Sequence, residues 1–277
     1  MITTPILFGL LAAITWGAAD FNGGMASKQS NPYGVVIVAH SFSLILLLAL
    51  IGITGEPIPP LQDLLWGGAA GIGAGFGLML LYRALAEGRM SVAAPVSAVV
   101  ASGLTVIVGA ALEGLPNSWM ILGLVLAMIA VWFTASDEKT AIHVNELKQP
   151  VAAGIAFAMF FVCLERASGV SLFWSIVAVR VVSVTSLFGY VTITRQRWLP
   201  QQSSLAPIVL SSVLDTVGNA CYSLAARFGR LDIAAVISSL YPGATVLLAW
   251  FLLKERIGRL QTVGILLALA AIIILSL

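Results

Sequence analysis

The sequence predicts an all-α integral membrane protein with ten transmembrane helices arranged as two inverted five-helix repeats. Three observations carry that prediction. Of 277 residues, 60% are hydrophobic and only 9% are charged, with a mean hydropathy of +1.03. A soluble domain carries about 25% charged residues. Apolar windows of about 20 residues, the length that crosses a bilayer core as helix, recur along the whole chain. Finally, one segment is written twice. Gly88-Arg89-Met90-Ser91-Val92-Ala93-Ala94 returns 141 residues later as Gly229-Arg230-Leu231-Asp232-Ile233-Ala234-Ala235. At the same offset Ala84, Ser97, Gly123, Leu126 and Ala127 meet identical residues.

Cut at Pro, Gly and charged residues, the apolar windows of the first copy fall at 4–25, 34–54, 64–86, 91–112 and 118–136. Those of the second fall at 150–168, 171–194, 204–226, 232–253 and 259–277. The connections are short except for Asp137 to Gln149, which holds Asp137, Glu138, Lys139, His143, Glu146 and Lys148. The expected organisation is therefore a first repeat at 1–136, a polar link at 137–149 and a second repeat at 150–277. Five spans per copy force the copies into opposite orientations across the membrane. Internal repeats of this kind are the sequence mark of transporter folds, with a substrate site between the halves.

Small residues are spaced for close helix packing. Gly67, Gly71 and Gly75 form one row on the third span, Gly73 and Gly77 a second, and Gly9, Ala13 and Gly17 a row on the first. Such rows let backbones approach where lipid supplies no hydrophobic drive for association. Gly71-x-Gly73-x-Gly75 superficially matches a nucleotide loop, but no strand precedes it.

Polar side chains inside the spans are the candidate functional residues, because a charge at mid-membrane costs about 2.5–3.5 kcal/mol on insertion scales. Trp16 and Asp20 are one helical turn apart on the first span, with Asn22 nearby. His40 and Ser43 share a face of the second, and Arg180 and Ser183 a face of the seventh. Ser211, Asp215, Asn219 and Tyr222 form a polar stripe on the eighth, and Ser238, Tyr241 and Thr245 a milder one on the ninth. At an offset of 140, His40 falls on Arg180, whereas Asp20 and Asp215 meet no acidic equivalent, their positions lying near Phe160 and within Gly73-Ala74-Gly75. A cavity symmetric in shape and asymmetric in chemistry follows. Asp215, Asn219 and Tyr222, with Ser238, are expected to contact substrate, Trp16 and Tyr241 to form aromatic walls, and Asp20, His40 and Asp215 to be candidates for proton coupling. Arg180 either engages a carboxylate of the substrate or holds Asp215. Pro95 and Pro242 interrupt the fourth and ninth spans and are expected to kink them.

Charge and cysteine content exclude other classes. No basic cluster suggests nucleic acid, and Cys163 and Cys221 lie in apolar segments, so neither a disulfide framework, a metal site nor a bound cofactor is expected. The first 25 residues lack a basic n-region and read as a span, not a leader. On the side of the termini the connections carry Arg166, Arg227 and Arg230; the opposite side carries ten basic residues. Positive-inside therefore places both termini outside the cytoplasm.

Ser238-Ser239-Leu240-Tyr241-Pro242-Gly243-Ala244-Thr245, followed by Leu252-Leu253-Lys254-Glu255-Arg256 and Thr262-Val263-Gly264, resembles the second repeat of EamA-type transporters of the drug/metabolite transporter superfamily. Trp16-Gly17 with Lys28 and Pro32 is similar to the opening of the first repeat. Glu113 matches the glutamate that closes its fourth helix, while Ala101-Ser102 departs from the usual proline there. The resemblance implies a cavity lined by helices one to four and six to nine, with five and ten peripheral as a possible dimer contact. It implies termini in the cytoplasm, against the charge count. It also implies a secondary, ATP-independent exporter of amino acids, metabolites or drugs working by alternating access in a prokaryotic inner membrane. Its partners would be a small-molecule substrate, H+ and the bilayer, with the chain as monomer or homodimer. The competing readings are a passive channel or lipid flippase and, lacking His-Glu-x-x-His or Gly-x-Ser-x-Gly, an intramembrane enzyme.

Overall fold

The computed structural model describes residues 3–87, 90–134, 144–253 and 258–275. Gly88 and Arg89 of the repeated motif, Asp137 to His143 of the link, and Lys254-Glu255-Arg256 lie outside them. The described residues form helices and their connections, without strands: α1 (Thr3–Ser27), α2 (Pro32–Thr54), α3 (Leu61–Glu87), α4 (Met90–Glu113), α5 (Ser118–Thr134), α6 (Val144–Ala167), α7 (Leu172–Ile193), α8 (Leu205–Phe228), α9 (Leu231–Ser238), α10 (Tyr241–Leu253) and α11 (Arg259–Leu275), with one 3-10 turn at Gln202–Ser204. Seven of them, α1 to α4 and α6 to α8, are long and apolar enough to cross a membrane.

One expectation is corrected. The ninth span is not one kinked helix but two, α9 and α10, separated at Ser239 and Leu240. Pro242 sits in the first turn of α10, where a missing N–H leaves no bond unmade, so it starts a helix instead of bending one. With α9 and α10 taken as one broken span, the α-helices among the described residues number ten. α6 begins at Val144, so the later part of the stretch expected as a link at 137–149 is helical. By contrast α4 runs unbroken through Pro95.

Helix ends are fixed locally. Asn31 caps α2 by accepting the Tyr33 N–H at 3.1 Å, with Pro32 at the first helical position. Gly55, at φ 65°, closes α2 by donating its N–H to Ile51 O at 2.8 Å, a left-handed geometry that glycine adopts without a Cβ clash.

Packing runs mostly between the two halves of the chain. α1 lies along α8, α3 along α6 and α7, α4 along α6 and α9, α2 along α7, and α5 along α11. The small-residue rows explain how. A Cβ on Gly71 would stand 2.5 Å from Val179 O, and one on Gly75 2.5 Å from Ser183 Oγ, so this row receives the backbone of α7. One on Gly73 would stand 2.5 Å from Ala156 O and one on Gly77 2.7 Å from the Phe157 ring, so the second row receives α6. A Cβ on Gly17 would likewise stand 2.5 Å from Tyr241 O. The glycine string that mimicked a nucleotide loop is thus a helix seated between two others. The main core buries Leu47, Leu81, Leu164, Ile176 and Leu187, and a smaller cluster of Leu124, Ile233, Val236, Ile237 and Ala271 joins α5, α9 and α11. Exposed large side chains such as Ile45, Ile107, Trp119 and Phe251 form the outer surface, as a lipid-facing wall requires.

Candidate functional site

Arg180 is the largest fully buried side chain, at 1% exposure. A buried guanidinium survives only if its donors are met, and here three side chains on two helices meet them. Nη2 donates to Asp215 Oδ2 on α8 at 2.5 Å, Nε to Ser43 Oγ on α2 at 2.9 Å, and Nη1 to His40 Nε2 on α2 at 2.9 Å. The last contact fixes the histidine. Arginine has no acceptor, so Nε2 must present its lone pair and the proton sits on Nδ1, 2.6 Å from Ser183 Oγ. His40 is neutral in this arrangement. Its 3.9 Å approach to Asp215 Oδ2 is therefore not an ion pair; the ion pair is Arg180–Asp215.

The stripe on α8 divides among four neighbours. Ser211 Oγ donates to Ala19 O at 2.8 Å; Asp215 takes Arg180; Asn219 Oδ1 accepts from Trp16 Nε1 at 3.0 Å; Tyr222 OH donates to Phe161 O at 3.0 Å. Asn219 Nδ2 returns to Asp215 Oδ2 at 3.4 Å.

A partly open cavity lies at this junction, with about 490 Å³ of empty volume when the adjoining open solvent is included. The first half contributes Trp16, Asp20, Ala74, Leu78 and Ala101; the second contributes Phe157, Phe160, Phe161, Arg180, Asp215, Asn219 and Tyr241. Trp16 stacks on Phe161 at 5.7 Å between centroids and meets Phe160 edge-on at 6.2 Å.

Of the sequence-derived candidates, Trp16, Asp20, Arg180, Asp215, Asn219 and Tyr241 converge on this cavity. Three do not line it. Tyr222, expected to contact substrate, is fully buried in the ring cluster with Phe161 at 4.9 Å, its hydroxyl consumed by a carbonyl. Ser238, expected beside it, is buried at the end of α9 with no partner for its hydroxyl among the described residues. His40 stands behind Arg180, so α2 supports the wall without forming it. Among the described residues no group of three His, Cys, Asp or Glu side chains could hold a metal ion.

The lining residues missed by inspection carry a signal that could have found them. At offsets of 140 or 141, Trp16 pairs with Phe157, Asp20 with Phe160 or Phe161, Asp215 with Ala74, Asn219 with Leu78, and Tyr241 with Ala101. Apart from Arg180, whose equivalent His40 stands behind it, each polar or aromatic candidate in the wall has its sequence equivalent there too.

The family model of the EamA-like transporter family matches residues 3–136 and again 150–277. The chain belongs to the EamA-like transporter family. That family is part of the drug/metabolite transporter superfamily, and with the run of apolar helices it makes this chain a multi-pass membrane protein of a transporter family. Among solved structures, one crystal structure of a protein has the same fold, with a TM-score of 0.79 over 98% of this chain and 96% of its own, at 15% identity. No curated protein matches the sequence. For this EamA-like chain the twofold match of the model falls on the two halves that supply the cavity wall.

Proposed function

We propose that this EamA-like protein is a secondary transporter that moves a small organic solute by alternating access, without ATP, as an exporter in a prokaryotic inner membrane. Its two halves, 1–136 and 150–277 joined by 137–149, would be inverted five-helix repeats that rock about the central cavity. The observation that carries this reading is the cavity wall itself, built from residues equivalent at the 140–141 offset. Contacts in the interior support it by reciprocity. His40 bonds Ser183 while Arg180 bonds Ser43, and each pair is the other's equivalent at offset 140. Helix pairing is reciprocal too: α1 on α8 answers α6 on α3, and α2 on α8 answers α7 on α3. Such exchange is what a two-fold axis between halves produces.

Roles divide by geometry. Asn219 and Asp215 present polar atoms to the solute, Trp16 and Tyr241 give it flat walls, and Arg180 holds Asp215 in place. Of the three candidates for proton coupling, His40 and Asp215 are both committed to Arg180, which leaves Asp20 for exchange.

The test is counterflow in proteoliposomes, using ligands first found by thermal shift of purified protein against amino acids, amines and aromatic compounds. A carrier accelerates uptake when unlabelled ligand fills the vesicle. Flux without acceleration would identify a channel, lipid scrambling without solute exchange a flippase, and either sinks the proposal. Loss of exchange in Asp215→Asn and Arg180→Ala is expected; exchange indifferent to both refutes the assigned roles.

A further inference from the structure

The cavity holds two acidic side chains, Asp20 and Asp215, and one basic one, Arg180. Arg180 is neutralised by Asp215 at 2.5 Å and shares its remaining contacts with His40 and Ser43, both uncharged. Asp20 lies in the same wall at 8% exposure. Among the described residues no cationic side chain lies within ion-pair distance of it. Its near neighbours are the hydroxyl of Tyr82, an uncharged donor, and the carboxylate of Asp215, which repels it. Two acidic side chains and one guanidinium thus share a partly open cavity, and Asp20 can be ionised there only with a counter-ion beside it, since an unpaired buried charge is costly.

The rest of the wall says what kind. Trp16 is one helical turn from Asp20, and Phe157, Phe160, Phe161 and Tyr241 complete the surround. Aromatic faces carry negative quadrupole charge and attract cations, most strongly when desolvated. A hydrated metal ion would ask instead for a shell of oxygens, and the wall has few to give. Taken with the transporter reading, on which this inference rests, we propose that the solute is an organic cation, a protonated amine or ammonium bearing a flat apolar body, with its charge on Asp20 and its body against Trp16 and the phenylalanines. An anionic solute is disfavoured, because the one guanidinium that could receive it is already held by Asp215.

The experiment is calorimetric titration of the full chain in nanodiscs with four probes: phenethylammonium, benzyltrimethylammonium, 2-phenylethanol and phenylacetate. At least one of the two cations should bind at least tenfold tighter than the neutral and anionic probes. Asp20→Asn should lose that preference, while Asp20→Glu keeps most of it and serves as the control should the amide variant fail to fold. Trp16→Leu should weaken the quaternary ion more than the alcohol. Phenylacetate binding tightest, a cation preference unchanged in Asp20→Asn, displacement of the ammonium by equimolar Na+, or no binding by either cation would each overturn the proposal. Counterflow separates the two levels. Exchange of phenylacetate without the ammonium sinks the cation class and leaves transport standing. Asp20-dependent binding of a cation that shows no exchange sinks transport and leaves the binding site.

Discussion

His40 and Arg180, 140 residues apart, meet at 2.9 Å, and each reaches past the other to a serine three residues along the opposite helix: His40 to Ser183 at 2.6 Å, Arg180 to Ser43 at 2.9 Å. α2 and α7 therefore cross at equivalent points. Only one of the two positions carries a charge, and that charge is placed 2.5 Å from Asp215 Oδ2.

This relationship predicts that the charge can change sides. Arg180→His alone leaves Asp215 buried without a cation, a loss of about 3–5 kcal/mol for a broken buried pair. His40→Arg alone sets two guanidinium groups against each other. Because His40 Nε2 already lies 3.9 Å from Asp215 Oδ2, an arginine at 40 can take over the ion pair. The double swap should be more stable than either single variant, with a coupling of about 1–3 kcal/mol in a double-mutant cycle read from detergent melts. Additive losses would show that the two positions are not interchangeable.

The glycine rows predict opposite signs for one substitution at two places. Gly71→Ala would push a methyl to within 2.5 Å of Val179 O and 3.0 Å of Val182 Cβ, both on the facing helix, and should destabilise by about 1–3 kcal/mol. Gly52→Ala meets nothing within 4 Å on an exposed face of α2 and should be neutral or stabilising by about 0.5–1 kcal/mol. Melting the two variants side by side checks both signs. A neutral Gly71→Ala would mean that α3 and α7 do not approach as closely as described.

Much of this arrangement could be read from residue order. Apolar length located the spans, and the Gly67-Gly71-Gly75 and Gly73-Gly77 rows named two faces of α3, which receive α7 and α6. What spacing could not supply was depth. Asp215 and Tyr222 share a face of α8, but seven residues separate them by about 10 Å along the axis. That distance carries Tyr222 past the cavity and into the rings of Trp16 and Phe161. The break after Ser238 was hidden because Pro242 looks the same in sequence whether it bends a helix or begins one. The apolar wall was hidden for a different reason: Phe157, Ala74 and Leu78 look like any lipid-facing residue until the repeat offset sets them opposite Trp16, Asp215 and Asn219.

Outside the membrane core, a loop of one half closes a helix of the other. Glu56, just beyond α2, accepts from Ser171 Oγ at 2.5 Å, Phe173 N–H at 2.9 Å and Leu172 N–H at 3.3 Å at the start of α7. Its carboxylate meets donors that a helix start otherwise leaves unpaired and sits favourably at the positive end of the helix dipole. Glu56→Ala should cost about 1–2 kcal/mol. Glu56→Asp, one methylene short, should recover only part of that in the same melts. An unchanged melting temperature for Glu56→Ala would mean that Ser171, whose Oγ accepts the Trp174 N–H at 3.2 Å, caps α7 alone.

Sidedness follows from where the basic residues fall. Ten lie on connections facing away from the termini and three on the termini side, and the cytoplasmic leaflet retains the richer face. Leu115, 85% exposed between α4 and α5, marks the termini side, and Leu199, 78% exposed between α7 and α8, marks the other. Cys163 and Cys221 are both buried, which keeps the background of thiol labelling low. A membrane-impermeant maleimide should therefore label Leu115→Cys in intact cells and Leu199→Cys only after permeabilisation. The reverse pattern would place the termini in the cytoplasm, as the family resemblance implies. It would mean that the basic residues between α7 and α8 do not set the orientation.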